Sequence, residues 1–412
     1  MPPDRAVSAE PQDEAIGFVL ELGRALHSHG YPAHRLEGVM DRVARHFGLE
    51  GQFFSQPTSI FAGFGRQDLQ HTYLMRVEPG GIRLEKLAAL DAVVSAVLAG
   101  RVGAASGRAR IEAIEAAPAP YGPALTVLAF GVASGASAVF LGGGVREVAA
   151  AAAIGVAVGL LSLASERWPA TARVFEPVAA CVASALAVSI ARFAGPCSVY
   201  VATLAGIIVL LPGLTLTTAM TELSTRNLAS GTARLSGATM LFIAIAFGVA
   251  MGRRIAESLF GVPLGTEPRP LPPGAEAIAL VLAPFALSVL LRAPRREVSW
   301  VLLVGVLGFA GGRLGARLLS PELGIFVGAF TAGLASNLYA RYRDRPAPVT
   351  LVPAILLLVP GSVGFRSLVS LLDRQVVLGV EAAFRMVIML AALVAGLLIS
   401  GVVAPGRKWE EA

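Results

Sequence analysis

The sequence predicts an α-helical polytopic membrane protein, with ten transmembrane helices forming two inverted five-helix repeats and a small N-terminal α/β cytoplasmic domain. Three observations carry that expectation. The 412-residue chain is 55% hydrophobic and 15% charged, with a mean hydropathy of +0.68, whereas an ordinary soluble domain is about 25% charged. Its polar residues are unevenly placed: all five histidines (His27, His29, His34, His46 and His71) fall within the first 71 residues, and long uncharged runs begin after about residue 120. Finally, a proline–glycine pair interrupts a long apolar segment twice, at Pro212-Gly213 and at Pro360-Gly361.

Residues 1–13 read as a disordered tail, and the polar opening MPPDRAVSAEPQDEA holds no apolar run of the length a cleavable signal core needs. The domain that follows, over 14–117, is therefore expected to stay in the cytoplasm. Ile16, Val19, Leu20, Leu22, Gly23 and Leu26 mark one helical face, and Leu36, Val39, Met40, Val43 and Phe47 mark a second. His29-Gly30-Tyr31-Pro32 separates them and sets the angle between the two helices. Strand-like runs follow at Gln52–Ser55, Ser59–Phe64 and Thr72–Val77, punctuated by Gln56-Pro57, Gly65 and Glu78-Pro79-Gly80-Gly81. Helices return at about Leu84–Leu98 and Ala105–Ala116.

This domain suggests no catalyst. His27, His29 and His34 crowd one turn, yet no HExxH, CxxC or GxSxG accompanies them. They read as exposed caps or surface residues, and Ser55, Thr58 and Ser59 as strand-edge hydroxyls. Cys181 and Cys197 lack metal-type spacing, so neither a disulfide nor a metal or other cofactor is expected. The net charge of +6 is spread over short loops between spans, which favours a role in orientation over nucleic-acid binding.

Ten apolar segments can be counted, at approximately 121–141, 146–164, 174–194, 198–221, 233–252, 273–292, 298–317, 322–341, 349–371 and 377–402, each near the length of a bilayer crossing. They divide into a first repeat over 118–255, a linker over 256–272, a second repeat over 273–404 and a tail over 405–412. The two Pro-Gly pairs lie 148 residues apart, and Leu223/Leu371, Arg226/Arg374, Gly231/Gly379 and Gly248/Gly396 agree at the same offset. Five spans per half forces the halves to enter the bilayer from opposite sides. An N-terminus inside places Arg167, Arg173, Arg226, Arg234, Arg292, Arg295, Arg296, Arg341 and Arg343 in cytoplasmic loops, and both termini are then cytoplasmic.

Proline removes a backbone donor and glycine tolerates the irregular dihedrals that follow, so each pair frees backbone groups at membrane depth. Such groups survive only where protein or water meets them. Interrupted spans at corresponding places in two halves are the sequence signature of a secondary transporter's binding site. Pro212, Gly213, Pro360 and Gly361 are accordingly expected to frame a substrate site, with Thr215, Thr217, Ser362 and Asn337 lining it. Half-helix amides would hold a substrate carboxylate and released carbonyls its ammonium group. Asn337 and Arg385 lie deep enough in their spans to be buried polar groups. Partial dehydration favours the neutral form of a carboxylate, which makes Glu222 the first candidate for proton coupling, ahead of Asp373 and Glu381. Two other classes remain open at this level: a membrane-anchored enzyme with its active site in the N-terminal domain, and a passive pore.

The stretches LELGRALHSHGYPAHRLEGVMDRVARHFGL, QPTSIFAGF, LMRVEPGGIRLEKLAAL, LLPGLTLTTAMTELSTRNLASGTARL and VPAILLLVPGSVGFRSL resemble the threonine/serine exporter family over nearly the whole chain. The resemblance implies a cytoplasmic N-terminal domain, a ten-span membrane domain with one Pro-Gly element per half, and proton-motive-force-driven export of small amino acids. The expected partners are that substrate, protons and the lipid of the cell (inner) membrane; homo-oligomerisation stays open.

Overall fold

The computed structural model describes residues 9–66, 68–78, 80–168, 173–372 and 374–406. Its N-terminal part comprises α1 (Ala9–Ser28), α2 (Ala33–His46), β1 (Gly51–Gln56), β2 (Ser59–Phe64), β3 (His71–Arg76), α3 (Leu84–Leu98) and α4 (Ala104–Ala116). The helical and strand periodicities of the sequence reappear almost residue for residue. The strands form an antiparallel meander in the order β1-β2-β3, with Phe61 opposite both Phe54 and Leu74. Ile60, Ala62 and Phe64 of β2 point inward onto Phe18 and Leu22 of α1 and Leu36, Met40 and Val43 of α2. Burying each large aliphatic side chain of this kind contributes about 1.5–3 kcal/mol. Gly30 ends α1 in the left-handed region at φ 83°, and Tyr31 N–H donates back to Leu26 O at 3.1 Å, the usual glycine stop of a helix.

This core does not end at the N-terminal elements. Ala293 and Val301 belong to the same buried cluster, and Leu84 N–H and Glu85 N–H donate to Leu291 O and Arg292 O, each at 3.0 Å. The amides that α3 leaves open at its start thus meet carbonyls left open at the end of a membrane helix.

The remaining helices are α5 (Pro123–Phe140), α6 (Val145–Arg167), α7 (Phe175–Phe193), α8 (Val199–Gly206), α9 (Gly213–Ser224), α10 (Leu228–Phe260), α11 (Pro273–Leu290), α12 (Val298–Leu318), α13 (Pro321–Arg343), α14 (Pro348–Leu358), α15 (Gly361–Leu372) and α16 (Val376–Val403). Among the described residues, nine helices are long and apolar enough to cross a membrane, or up to ten if the bent pair α8–α9 is one span. Helix α10 continues past residue 255, the expected end of the first repeat, to Phe260. The chain is a polytopic, mostly helical membrane protein.

Both Pro-Gly pairs break a helix, as their chemistry requires. The first lies between a 3-10 turn over Ile208–Leu210 and α9, and a 48° bend falls just ahead of that turn, between Gly206 and Ile208. The second separates α14 from α15. The turns after the short helices also match: Arg226 and Arg374 are left-handed at φ 64° and 63°, and Asn227 N–H and Gln375 N–H donate to Glu222 O and Ser370 O, both at 2.8 Å. Gly231 faces Leu223 and Ala219 O, while Gly379 faces Leu371 and Ser367 O.

Candidate functional site: a cavity between two broken helices

The two breaks lie against each other. A Cβ added at Gly213 would stand 2.6 Å from Val359 Cγ1, and one added at Gly361 would stand 3.6 Å from Leu211 Cβ. Each glycine therefore faces the residue that precedes the opposite Pro-Gly pair. Glycine is needed at 213 for the close approach of the two segments.

Around this crossing lies a cavity of about 730 Å³. Pro212, Thr215 and Thr218 of the first break and Val359 and Ser362 of the second line it, and Gly30, Pro57 and Gly80–Ile82 of the N-terminal part cover one end. Helices α9 and α15 both begin here, so the positive ends of two helix dipoles meet the same space. Its charged lining residues are Glu166, Arg234 and Arg292, with Arg292 Nη2 3.7 Å from Glu166 Oε1.

A second cavity of about 390 Å³ lies between α9, α13, α14, α16 and the α1–α2 turn, and Thr217, Thr221, Asn337 and His34 line it. The sequence reading gathered Thr215, Thr217, Ser362 and Asn337 round one site, but the structure divides them. Thr215 and Ser362 face the larger cavity, Thr217 and Asn337 the smaller. Two positions on a helix lie about 200° apart round its axis, so Thr215 and Thr217 point to opposite sides of α9. Thr217 Oγ1 donates to Gly213 O at 3.1 Å, and Asn337, 8% exposed, donates Nδ2 to Ser400 O at 3.5 Å. Pro360 is buried at its break.

The three carboxylates have different fates. Glu222 is fully buried and accepts from Ala33 N–H at 3.0 Å, Ser230 Oγ at 2.7 Å and Arg234 Nε at 3.1 and 3.0 Å. Ala33 is the first residue of α2, and Pro32 before it has no side chain with which to cap the helix. A carboxylate from α9 therefore caps a helix of the N-terminal domain. Glu381 is exposed on α16 and pairs with Arg385 at 3.4 Å. The expectation that Arg385 is buried does not hold, because its side chain is 54% exposed on the outer face of that helix. Asp373 lies outside the described residues.

His27 and His29 are also unlike the sequence reading, being 2% and 4% exposed rather than surface caps. His27 Nε2 meets Gln56 O at 2.9 Å and His29 Nε2 meets Glu115 Oε1 at 2.7 Å, contacts made across the fold to β1 and α4. Burial lowers the pKa of both, and of His34 to about 4, the nearby Arg35 adding to the last effect. Burial likewise raises the Glu37 carboxyl, which Glu222 raises further while the Ser55 amide opposes it. The site residue missed by sequence reading is Arg234, which was assigned to the loop charges. Its i,i+4 spacing from Ser230, following Glu222, is the signal that a polar face was present.

The chain is thus a membrane bundle with two apposed helix breaks beside one cavity. Residues 17–256 match the family model described as "Putative threonine/serine exporter", and residues 276–403 match another, described as "Threonine/Serine exporter, ThrE". The chain belongs to the threonine/serine exporter family. It is also similar to proteins called pheromone-regulated membrane protein 10. Identity is 24% over 85% of this chain and 36% of the protein from Pichia sorbitophila, 25% over 85% and 33% for Candida albicans, and 26% over 85% and 46% for Saccharomyces cerevisiae. The chain thus spans a third to a half of the length of these relatives. No solved structure matches.

Proposed function

We propose that the protein is a secondary active exporter of small amino acids of the threonine/serine kind, driven by the proton motive force. In this reading its ten spans, each broken pair counted once, form two inverted five-helix repeats in the cell (inner) membrane, with both termini cytoplasmic. The observation that carries the reading is the reciprocal packing of Gly213 on Val359 and Gly361 on Leu211 beside a single cavity. Reciprocal contacts between residues at one sequence offset are what a two-fold axis between halves produces, and broken helices at such an axis bind substrate in secondary transporters.

Pro212, Thr215 and Ser362 act as substrate contacts in the larger cavity, Gly213, Pro360 and Gly361 form the backbone frame of the two breaks behind it, and Thr217 and Asn337 serve from the smaller. Proton coupling falls to Glu222, with Asp373 and Glu381 as the other carboxylates. Ionised, Glu222 holds Arg234 and the start of α2; a proton on Glu222 removes the acceptor charge and releases both. Substrate and proton then favour different arrangements of the same cavity, which is the logic of antiport.

Counterflow of a labelled amino-acid panel in proteoliposomes tests the reading. Threonine and serine should exchange, and an imposed inward proton gradient should drive their net efflux. Flux that only equilibrates, whatever the gradient, would favour a passive pore.

A further inference from the structure

We propose that Arg234 is the carboxylate-recognising residue of the central cavity and that Glu222 positions it, so that the cargo is a small carboxylate-bearing molecule. The inference rests on the transport reading above and deepens it.

Arg234 stands in the second turn of α10 with its side chain 13% exposed, on the wall of the larger cavity. Its Nε is occupied by Glu222. Neither Nη has an acceptor among the described residues, and neither is sealed from its surroundings. Four N–H donors in a rigid planar fork therefore remain, a geometry that matches a carboxylate in bidentate fashion. The N-terminus of α9 opens on the same cavity and adds positive potential.

Arg292, the other arginine of the cavity, is placed differently. It lies 3.7 Å from Glu166 and also acts electrostatically on Glu85 of α3. Its charge is thus already faced by a carboxylate of the cavity wall, which leaves Arg234 as the arginine of the lining with guanidinium donors open to a ligand.

The Glu222–Arg234 pair is not a requirement of the turn in which it sits. At the same offset of 148 residues the second half carries Ser370, Leu378 and Ala382 in place of Glu222, Ser230 and Arg234, yet its turn has the same left-handed arginine and the same backbone hydrogen bond. The ionic arrangement is an addition to one half only. Holding a fully buried carboxylate by three donors fixes the guanidinium it grips, and pre-set orientation of a binding group is what such supporting contacts supply.

The test uses the full chain in proteoliposomes, with labelled L-serine counterflow competed by L-serinamide, ethanolamine and glycolate. In the wild type, serinamide and ethanolamine should compete at least tenfold more weakly than unlabelled serine. Arg234→Lys should raise the KM for serine at least tenfold at matched insertion while the maximal rate changes little, and Glu222→Gln should raise KM in the same direction. The pair Glu222→Gln/Arg234→Gln, which leaves no lone buried charge, should lose the preference for serine over serinamide. Thermal stabilisation by serine or glycolate in detergent, which needs no flux, should follow the same order. Equal competition by serine and serinamide, a wild-type KM in Arg234→Lys, or no stabilisation of the wild type by any carboxylate would each overturn the inference. If glycolate flux depends on Arg234 and serine is not carried, the amino-acid reading falls while this inference stands. Arg234-independent flux of ethanolamine alone overturns this inference and leaves transport itself intact.

Discussion

Gly213 packs on Val359 closely enough that a Cβ would come within 2.6 Å of its Cγ1. The same relation is looser on the other side, where a Cβ at Gly361 would meet Leu211 at an ordinary contact of 3.6 Å. Gly213→Ala should therefore cost about 1–3 kcal/mol through overpacking and reduce flux, whereas Gly361→Ala should be tolerated. Val359→Ala should restore part of the loss in Gly213→Ala, giving a coupling energy on the order of 0.5–3 kcal/mol. Melting temperature and serine counterflow of the four proteins measure this, and independent effects of the two substitutions would contradict the contact.

Glu222→Gln leaves the Arg234 guanidinium without its charge partner and weakens the cap on α2. Breaking a buried pair typically costs about 3–5 kcal/mol, and amide exchange over residues 33–36 should accelerate. Efflux driven by a pH gradient should be lost while substrate exchange persists with a raised KM, because exchange requires no net protonation cycle. Equal gradient-driven efflux by wild type and variant at matched expression would remove Glu222 from coupling and turn attention to Asp373 and Glu381.

The proposed orientation can be read by cysteine labelling in intact cells, after Cys181 and Cys197 are replaced. Leu264, 82% exposed between α10 and α11, and Tyr342, 78% exposed at the end of α13, lie on opposite sides in that topology. Leu264→Cys should react with an impermeant thiol reagent and Tyr342→Cys should not until the cells are opened. The reverse pattern would mean that the termini lie outside. Ala347 in the neighbouring turn is unsuitable, being fully buried.

Acid should loosen the N-terminal domain. His34 titrates at about 4 in the folded chain against an ordinary 6.5, so between those values the unfolded state binds more protons. Stability is then complete above about 6.5 and declines as pH falls towards about 4, by at most roughly 3 kcal/mol for this group. His27 and His29, also lowered by burial, act in the same sense, while the raised carboxyls of Glu37 and Glu85 act against it. Melting of the full chain between pH 7.5 and 4.5 should therefore fall more steeply for wild type than for His34→Gln. Parallel curves would refute the assignment to His34.

What could be read in advance had local causes. Alternation over Ser59–Phe64 and the apolar face of Leu36, Val39, Met40 and Val43 specify a strand and a helix whatever they pack against. Proline without an N–H, followed at once by a permissive glycine, breaks the helix at 212–213 and 360–361, whereas Pro284 and Pro353, with no glycine behind them, stay inside α11 and α14. The burial of His27 and His29 was not legible, because it is produced by β1 and α4, far along the chain. Thr215 and Thr217 looked equivalent in a list of hydroxyls and are separated only by the rotation of α9.

By itself, then, the sequence determined the class of the protein, an α/β unit followed by apolar helices broken twice by Pro-Gly, since hydropathy, periodicity and the chemistry of proline act within a few residues. Only the tertiary structure decided that Gly213 meets Val359, that Arg234 faces the cavity, and that Glu222 caps a helix beginning 189 residues earlier at Ala33. Contacts of that kind depend on how completed helices pack, and a charge read along the chain carries no record of which distant donors will surround it.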